Sequence, residues 1–155
     1  MLMSDLLETN LYAKRYSFLT DQYILERVTK CFNNKRLDLV FNFLLEYKIN
    51  ISDVPGLYKL LNRRKLQFIK NLNSRMYSTI IAQCISINFI PPWLIEFLNN
   101  NKERFIKILL KSMIGNPHQQ DQFDFSLPLF MSLNLGWPEL NIIYKSHQHS
   151  KLTSD

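Results

Sequence analysis

Residues Tyr23 to Lys48 read YILERVTKCFNNKRLDLVFNFLLEYK, and this stretch decides the fold class. Ile24, Leu25, Val28, Cys31 and Phe32 recur three and four apart, the spacing that gathers side chains on one face of an α-helix. The polar pair Asn33 and Asn34 ends that face, and Leu37, Val40, Phe41, Leu44 and Leu45 open another almost at once. Asp38 stands near the start of the second helix and Lys48 near its end, each with the sign the helix dipole favours. Two amphipathic helices joined by a few polar residues make an αα hairpin.

The same grammar continues outward. After a connector at 49–53, Val54, Leu57, Leu60 and Leu61 start a helix with Pro55 in its first turn and Lys59, Arg63 and Arg64 on its polar side; Leu66, Ile69 and Leu72 extend it to Asn71 and Asn73. Ser74 is the expected N-cap of an apolar helix through Tyr77, Ile80, Ile81, Cys84, Ile85 and Ile87. Pro91 and Pro92 open the next, with Trp93, Leu94, Phe97 and Leu98 on its apolar side. Asn99, Asn100 and Asn101 form a turn, and a further helix from Phe105 to Met113 stops at Gly115, Asn116 and Pro117. Beyond it Phe123, Phe125, Leu127, Leu129, Met131 and Leu133 alternate as in a strand, yet Pro128 and the lack of a partner segment predict an extended arm.

The expected architecture is all-α: an irregular α-solenoid fragment of stacked hairpins. A lead-in covers 1–15, helical hairpins 16–114, an extended arm 115–136, a last short helix 137–146 and a frayed tail 147–155. No strict repeat period is visible, and the scarcity of alanine excludes tetratricopeptide and ankyrin patterns.

Composition agrees. The chain has 155 residues, 46% of them hydrophobic and 21% charged, which excludes a disordered tail, and 3 Gly are too few for a turn-rich β-sandwich. The start lacks the basic and apolar regions of a secretory signal. Met76 to Ile95 bears no charge, but Gln83, Asn88 and the Pro91–Pro92 pair mark it as a buried helix, a turn and the start of another helix, not a membrane span. Cys31 and Cys84 alone make neither a disulfide framework nor a metal cluster, and a reducing compartment is expected.

No spacing points to catalysis. His147 and His149 are two apart in a polar tail, which is wrong for two ligands on one helix face; the three glycines are isolated, so no phosphate loop is built. Asp121 and Asp124 read as solvated carboxylates, and both cysteines as small buried hydrophobes. No catalytic residue, metal ligand or cofactor site is assigned. Two surfaces remain as candidates. Trp93, Phe97 and Leu98, with Trp137, Ile142, Ile143 and Tyr144, are either core or the anchors of a partner interface, since tryptophan is enriched at binding hot spots. The net charge of +6 permits an acidic partner, and Arg63, Arg64, Lys65, Lys70 and Arg75 form a basic run. As a phosphate-facing strip it would make the chain a basic helical nucleic-acid-binding or other adaptor module; a solvated helix face is the simpler reading.

The order of the segments resembles the C-terminal helical region of the 160-kDa nucleoporin family, the propeller-plus-solenoid scaffold of the Y-shaped outer-ring complex of the nuclear pore. Tyr16, Ser17, Phe18 and Leu19 resemble the helix end before that family's last hairpins. Leu37 to Lys48, followed by Ile49, Ile51, Val54, Gly56 and Leu57, is similar to its hairpin, apolar connector and glycine–leucine turn. Met76 and Tyr77 through Cys84, leading into Ile90, Pro91, Pro92, Trp93 and Leu94, resemble its leucine, proline, any residue, tryptophan, leucine signature. Phe105 to Leu110 is similar to the leucine-rich helix that follows. His118, Gln119, Phe123 and Phe125, with Trp137, Pro138 and Ile142, resemble its tail. The segment before Trp93 and the turn at Val54 to Leu57 are shorter than the family's. Family members are much longer and begin with a β-propeller, so the chain is expected to be a fragment, a short isoform or a diverged stand-alone copy. The resemblance implies a structural, non-enzymatic part at the nuclear pore complex in the nuclear envelope, supporting mRNA export and protein import. Its partners would be the helical solenoids of the complex's other arms, with no small-molecule substrate, cofactor or membrane span.

Overall fold

The computed structural model describes residues 17–153; the expected lead-in, Tyr16 and the final residues Ser154 and Asp155 lie outside them. The described residues form α1 (Asp21–Asn33), α2 (Leu37–Glu46), a 3₁₀ turn (Ile51–Asp53), α3 (Leu57–Arg63), α4 (Lys65–Leu72), α5 (Tyr77–Ser86), α6 (Pro92–Asn100), α7 (Lys102–Met113), α8 (Pro117–Ser132) and α9 (Pro138–Thr153), with no strand among them. All-helical is therefore the fold class. The described chain divides into two compact units, one of 17–70 with 83–89 and one of 71–82 with 90–153.

In the first unit α1 starts where the Thr20 hydroxyl accepts the Tyr23 N–H at 3.1 Å, leaving Ile24, Val28, Cys31 and Phe32 on the buried face. It packs on α2, where Leu37, Val40, Phe41 and Leu44 of the expected pattern are buried together with Phe43, while Leu45 of that pattern is exposed. The two faces meet at Phe68 of α4, which is fully buried with its ring 6.0 Å from Phe32, 5.8 Å from Phe41 and 5.3 Å from Phe89. To bring Phe68 there the helix expected across residues 54–72 starts only at Leu57 and breaks at Arg64. The Arg64 guanidinium donates to Asn33 Oδ1 at 2.8 Å and lies 5.5 Å above the Phe32 ring, while Gln67 Nε2 donates to the Phe32 carbonyl at 2.9 Å. Those contacts hold the new helix start against the end of α1. Pro55 falls before α3, whose N-cap is Gly56 at φ +85°, a left-handed conformation that favours glycine.

Three helices ending in this unit use one device. Arg36, Ile49 and Phe89 each donate a backbone N–H to the carbonyl five residues earlier, on Cys31, Leu44 and Cys84, at 2.8–2.9 Å. The residue before each, Lys35, Lys48 and Asn88, has φ of +51° to +57°. This is the Schellman ending, normally closed by glycine. A glycine-poor chain fills it with Lys and Asn and accepts the strain of a Cβ in left-handed backbone.

The second unit is organised around Phe105 of α7 and Phe130 of α8, both fully buried, with ring centroids 5.4 Å apart. Tyr77 lies 5.3 Å from Phe105 and Trp137 stacks 5.9 Å from Phe130. The extended arm expected over 115–136 is instead mostly helix α8. Its buried side chains, Phe123, Ser126, Leu127 and Phe130, follow helical spacing, whereas Phe125 of the apparent alternation is exposed and polar Ser126 is buried. Asn116 begins it with a capping box: its side chain accepts the Gln119 N–H at 2.9 Å and Gln119 Oε1 accepts the Asn116 N–H at 3.0 Å. Pro117 occupies the first turn, where its missing N–H costs nothing. Pro128 removes one backbone bond inside the helix but lies on its exposed side, as does Asp124, whose carbonyl loses its donor. The last helix runs to Thr153, so the tail expected from 147 is helical through that residue. His147 packs edge-on against Phe123 with centroids 4.7 Å apart, which continues the α8–α9 contact one turn past the expected end.

Gly115 supplies room and not conformation, because a Cβ there would overlap the Gln119 side chain that closes the capping box. Lys48→Gly is expected to raise stability by about 0.5–1 kcal/mol, left-handed strain relieved less the added chain entropy of glycine. Urea denaturation should show a higher midpoint at an unchanged slope. Gly115→Ala should lower stability by about 1 kcal/mol by opening the capping box.

Candidate binding surfaces

The seven residues expected at a partner interface divide by burial. Trp93, Leu98, Trp137 and Ile143 are buried and Phe97 is half-buried, whereas Ile142 is 64% and Tyr144 42% exposed. Their roles follow from their contacts. Trp137 stacks on Phe130 and donates its indole N–H to Asn99 Oδ1 at 2.7 Å, which pins the α8–α9 connection to the end of α6. Leu98 and Ile143 sit on the inner faces of α6 and α9. Those side chains are core, and of the seven only Ile142 and Tyr144 are exposed. The turn expected from Asn99 to Asn101 contracts to Asn101 alone. Its amide nitrogen donates to the Phe97 carbonyl at 2.8 Å, so the side chain caps α6 while α7 starts at the next residue.

The basic run divides as well. Arg63 ends α3 and Lys65 begins α4; with Lys70 they are exposed, while Arg64 is committed to Asn33 and Phe32. Arg75 belongs to the second unit. There, Arg75, Arg104 and His118 line one cleft of about 470 Å³, a convergence of residues 43 positions apart that linear spacing could not reveal.

The outer side of the last hairpin forms a groove of about 660 Å³ between α8 and α9. Leu127, Pro128 and Met131 line it from α8, and Tyr144, His147 and Gln148 from α9, at spacings of three and four residues on each helix. At one side His147 Nε2 lies 3.1 Å from Asp124 Oδ1 without hydrogen-bond alignment, so this is a proximity rather than a directed bond. Asp124, read from sequence as merely solvated, therefore has a neighbour. Nothing in the spacing of residues 124 and 147 signalled it, because the contact exists only when α8 and α9 pack.

No group of three His, Cys, Asp or Glu suited to a metal ion occurs among the described residues. No described helix is long and apolar enough to cross a membrane. Both cysteines are buried, and desolvation pushes the Cys84 thiol up to about 12, which keeps it protonated near neutral pH. Compared with protein-family models, curated proteins and solved structures, the chain matches none.

The start of α9 is tied to α7 by an ion pair, Lys102 Nζ to Glu139 Oε2 at 2.6 Å. The hydrogen bond from Lys102 holds the Glu139 carboxyl below its ordinary 4.5, so the folded state favours its ionised form. The resulting stabilisation is present above the unfolded value and is lost as pH falls through the lower folded value. Glu139→Gln should therefore lower the urea midpoint at about pH 7, and its difference from wild type should shrink as pH falls below the ordinary glutamate value. Both side chains are 36% exposed, so added salt should also reduce that difference.

Proposed function

We propose that the chain is a non-enzymatic scaffold segment whose stacked helices form part of an α-solenoid at the outer ring of the nuclear pore. In this reading it supports nucleocytoplasmic transport by binding other helical nucleoporins, the setting implied by the ordered resemblance of its motifs to the 160-kDa nucleoporin family. The observation that best supports a binding role is the α8–α9 groove, with Pro128, Met131 and Tyr144 along an open channel. Two parallel rows of side chains at helical spacing fit a third helix laid between them. The occupant is an amphipathic helix of a partner solenoid. An acidic flank on that helix suits a chain of net charge +6 whose α9 exposes Lys145 and Lys151.

Binding of the full chain to the purified helical solenoid nucleoporins of the outer ring tests this. Tyr144→Asp, inside the groove, should weaken binding at least ten-fold while helicity and the urea midpoint stay at wild-type values. Ile142→Asp, exposed but outside the groove, should change it less than two-fold. By contrast, Leu98→Asp and Trp137→Ala should fail by unfolding the second unit, since each removes a buried side chain worth about 3 kcal/mol or more. No association of the wild-type chain with any of these solenoids, together with duplex binding that falls steeply with salt, would replace this reading with nucleic-acid binding.

A further inference from the structure

The second unit contains a separate cleft of about 470 Å³ where the turn before α5, the body of α7 and the first turn of α8 meet. Its charged lining is of one sign: Arg75 and Arg104, with His118 beside them and no carboxylate. Concave walls concentrate the field of such charges and raise the local concentration of anions.

Arg104 is a fixed cation. Its Nη1 donates to Asn73 Oδ1 at 2.9 Å, its Nη2 donates to the Leu72 carbonyl at 3.1 Å, and its guanidinium carbon lies 4.7 Å from the Phe105 ring centroid. A guanidinium has five N–H groups, so three remain for a ligand while the side chain's position is already set. Arg75 is exposed and makes no hydrogen bond or ion pair among the described residues; the same holds for His118. The neutral lining adds donors. Gln119 spends its Oε1 on the capping box, which leaves its amide N–H groups, and Ser112 contributes a hydroxyl.

We infer that this cleft binds a compact phosphorylated small molecule through its phosphomonoester group. Two guanidiniums and two neutral donors exceed what the two oxygens of a carboxylate can accept; the three terminal oxygens of a phosphomonoester accept them, with bidentate contacts to each arginine. The volume accommodates a phosphate together with a small attached group. None of these residues belongs to the α8–α9 groove, so this site and partner binding stand or fall separately.

Calorimetric titration of the full chain with glucose 6-phosphate, inorganic phosphate and gluconate tests the site. Glucose 6-phosphate should bind with a submillimolar dissociation constant at low salt, and gluconate at least ten-fold more weakly. Inorganic phosphate binding as well as glucose 6-phosphate would assign recognition to the phosphate alone, and weaker binding would add the sugar; both support the site. Arg75→Gln, which removes an exposed and unpaired side chain, should weaken glucose 6-phosphate binding at least ten-fold at an unchanged urea midpoint. Lys65→Gln makes the same change in net charge in the other unit and should leave binding within two-fold. Absence of binding at millimolar glucose 6-phosphate and phosphate, equal affinity for gluconate, or equal losses in Arg75→Gln and Lys65→Gln would each overturn the inference.

Discussion

Phe130 lies within 6.3 Å of Tyr77, 5.4 Å of Phe105 and 5.9 Å of Trp137, and those rings come from α5, α8, α7 and the entry to α9. Phe68 has the same place in the first unit, touching rings that follow from α1, α2 and the residues after α5. Helices of 7 to 16 residues are at or below the length that holds together alone in water. Each persists because one aromatic or aliphatic face is buried against others, and the two phenylalanine hubs are where those faces meet.

That dependence explains the treatment of helix ends. Short helices make ends frequent, and every end leaves backbone groups without intrahelical partners. With few glycines the chain closes three helices on Lys35, Lys48 and Asn88 in left-handed backbone, accepting strain in exchange for satisfied carbonyls. The starts are served by Thr20, Asn116 and prolines at first turns. One residue often serves two helices. Asn101 caps α6 and precedes α7 directly, and the Gly115–Asn116–Pro117 run ends α7 while opening α8.

The same economy separates side chains spent inside the fold from those left facing outward. Arg64 and Trp137, both of types common at interfaces, spend their polar groups inside the fold, on Asn33 and Asn99. What faces outward is a groove on the last hairpin and a cationic cleft beside α7, each assembled from two or more elements. Arg104 stands between the two: two of its donors hold the end of α4, and the residue also lines the cleft.

The sequence by itself determined the helical class and most helix positions, because three-four spacing and the Asn, Gly and Pro interruptions act locally. Most of the first hairpin was legible, although Leu45, expected on the apolar face, is exposed and Phe43, not expected there, is buried. Helix α8 was not: Phe123 to Leu133 imitates strand alternation and carries Pro128, and the Asn116–Gln119 capping box that opens the helix was missed. The length of α9 was hidden because Ser146 to Ser150 is polar, and only packing of His147 on Phe123 shows that one face continues. Tertiary structure alone decided which apolar residues are core and which face outward, burying Trp137 and Ile143 while exposing Ile142 and Tyr144. It also brought Arg75, Arg104 and His118 to one cleft. Local spacing fixes where a side chain lies around its own helix; which faces meet, and so which charges converge, depends on packing between elements distant in the chain.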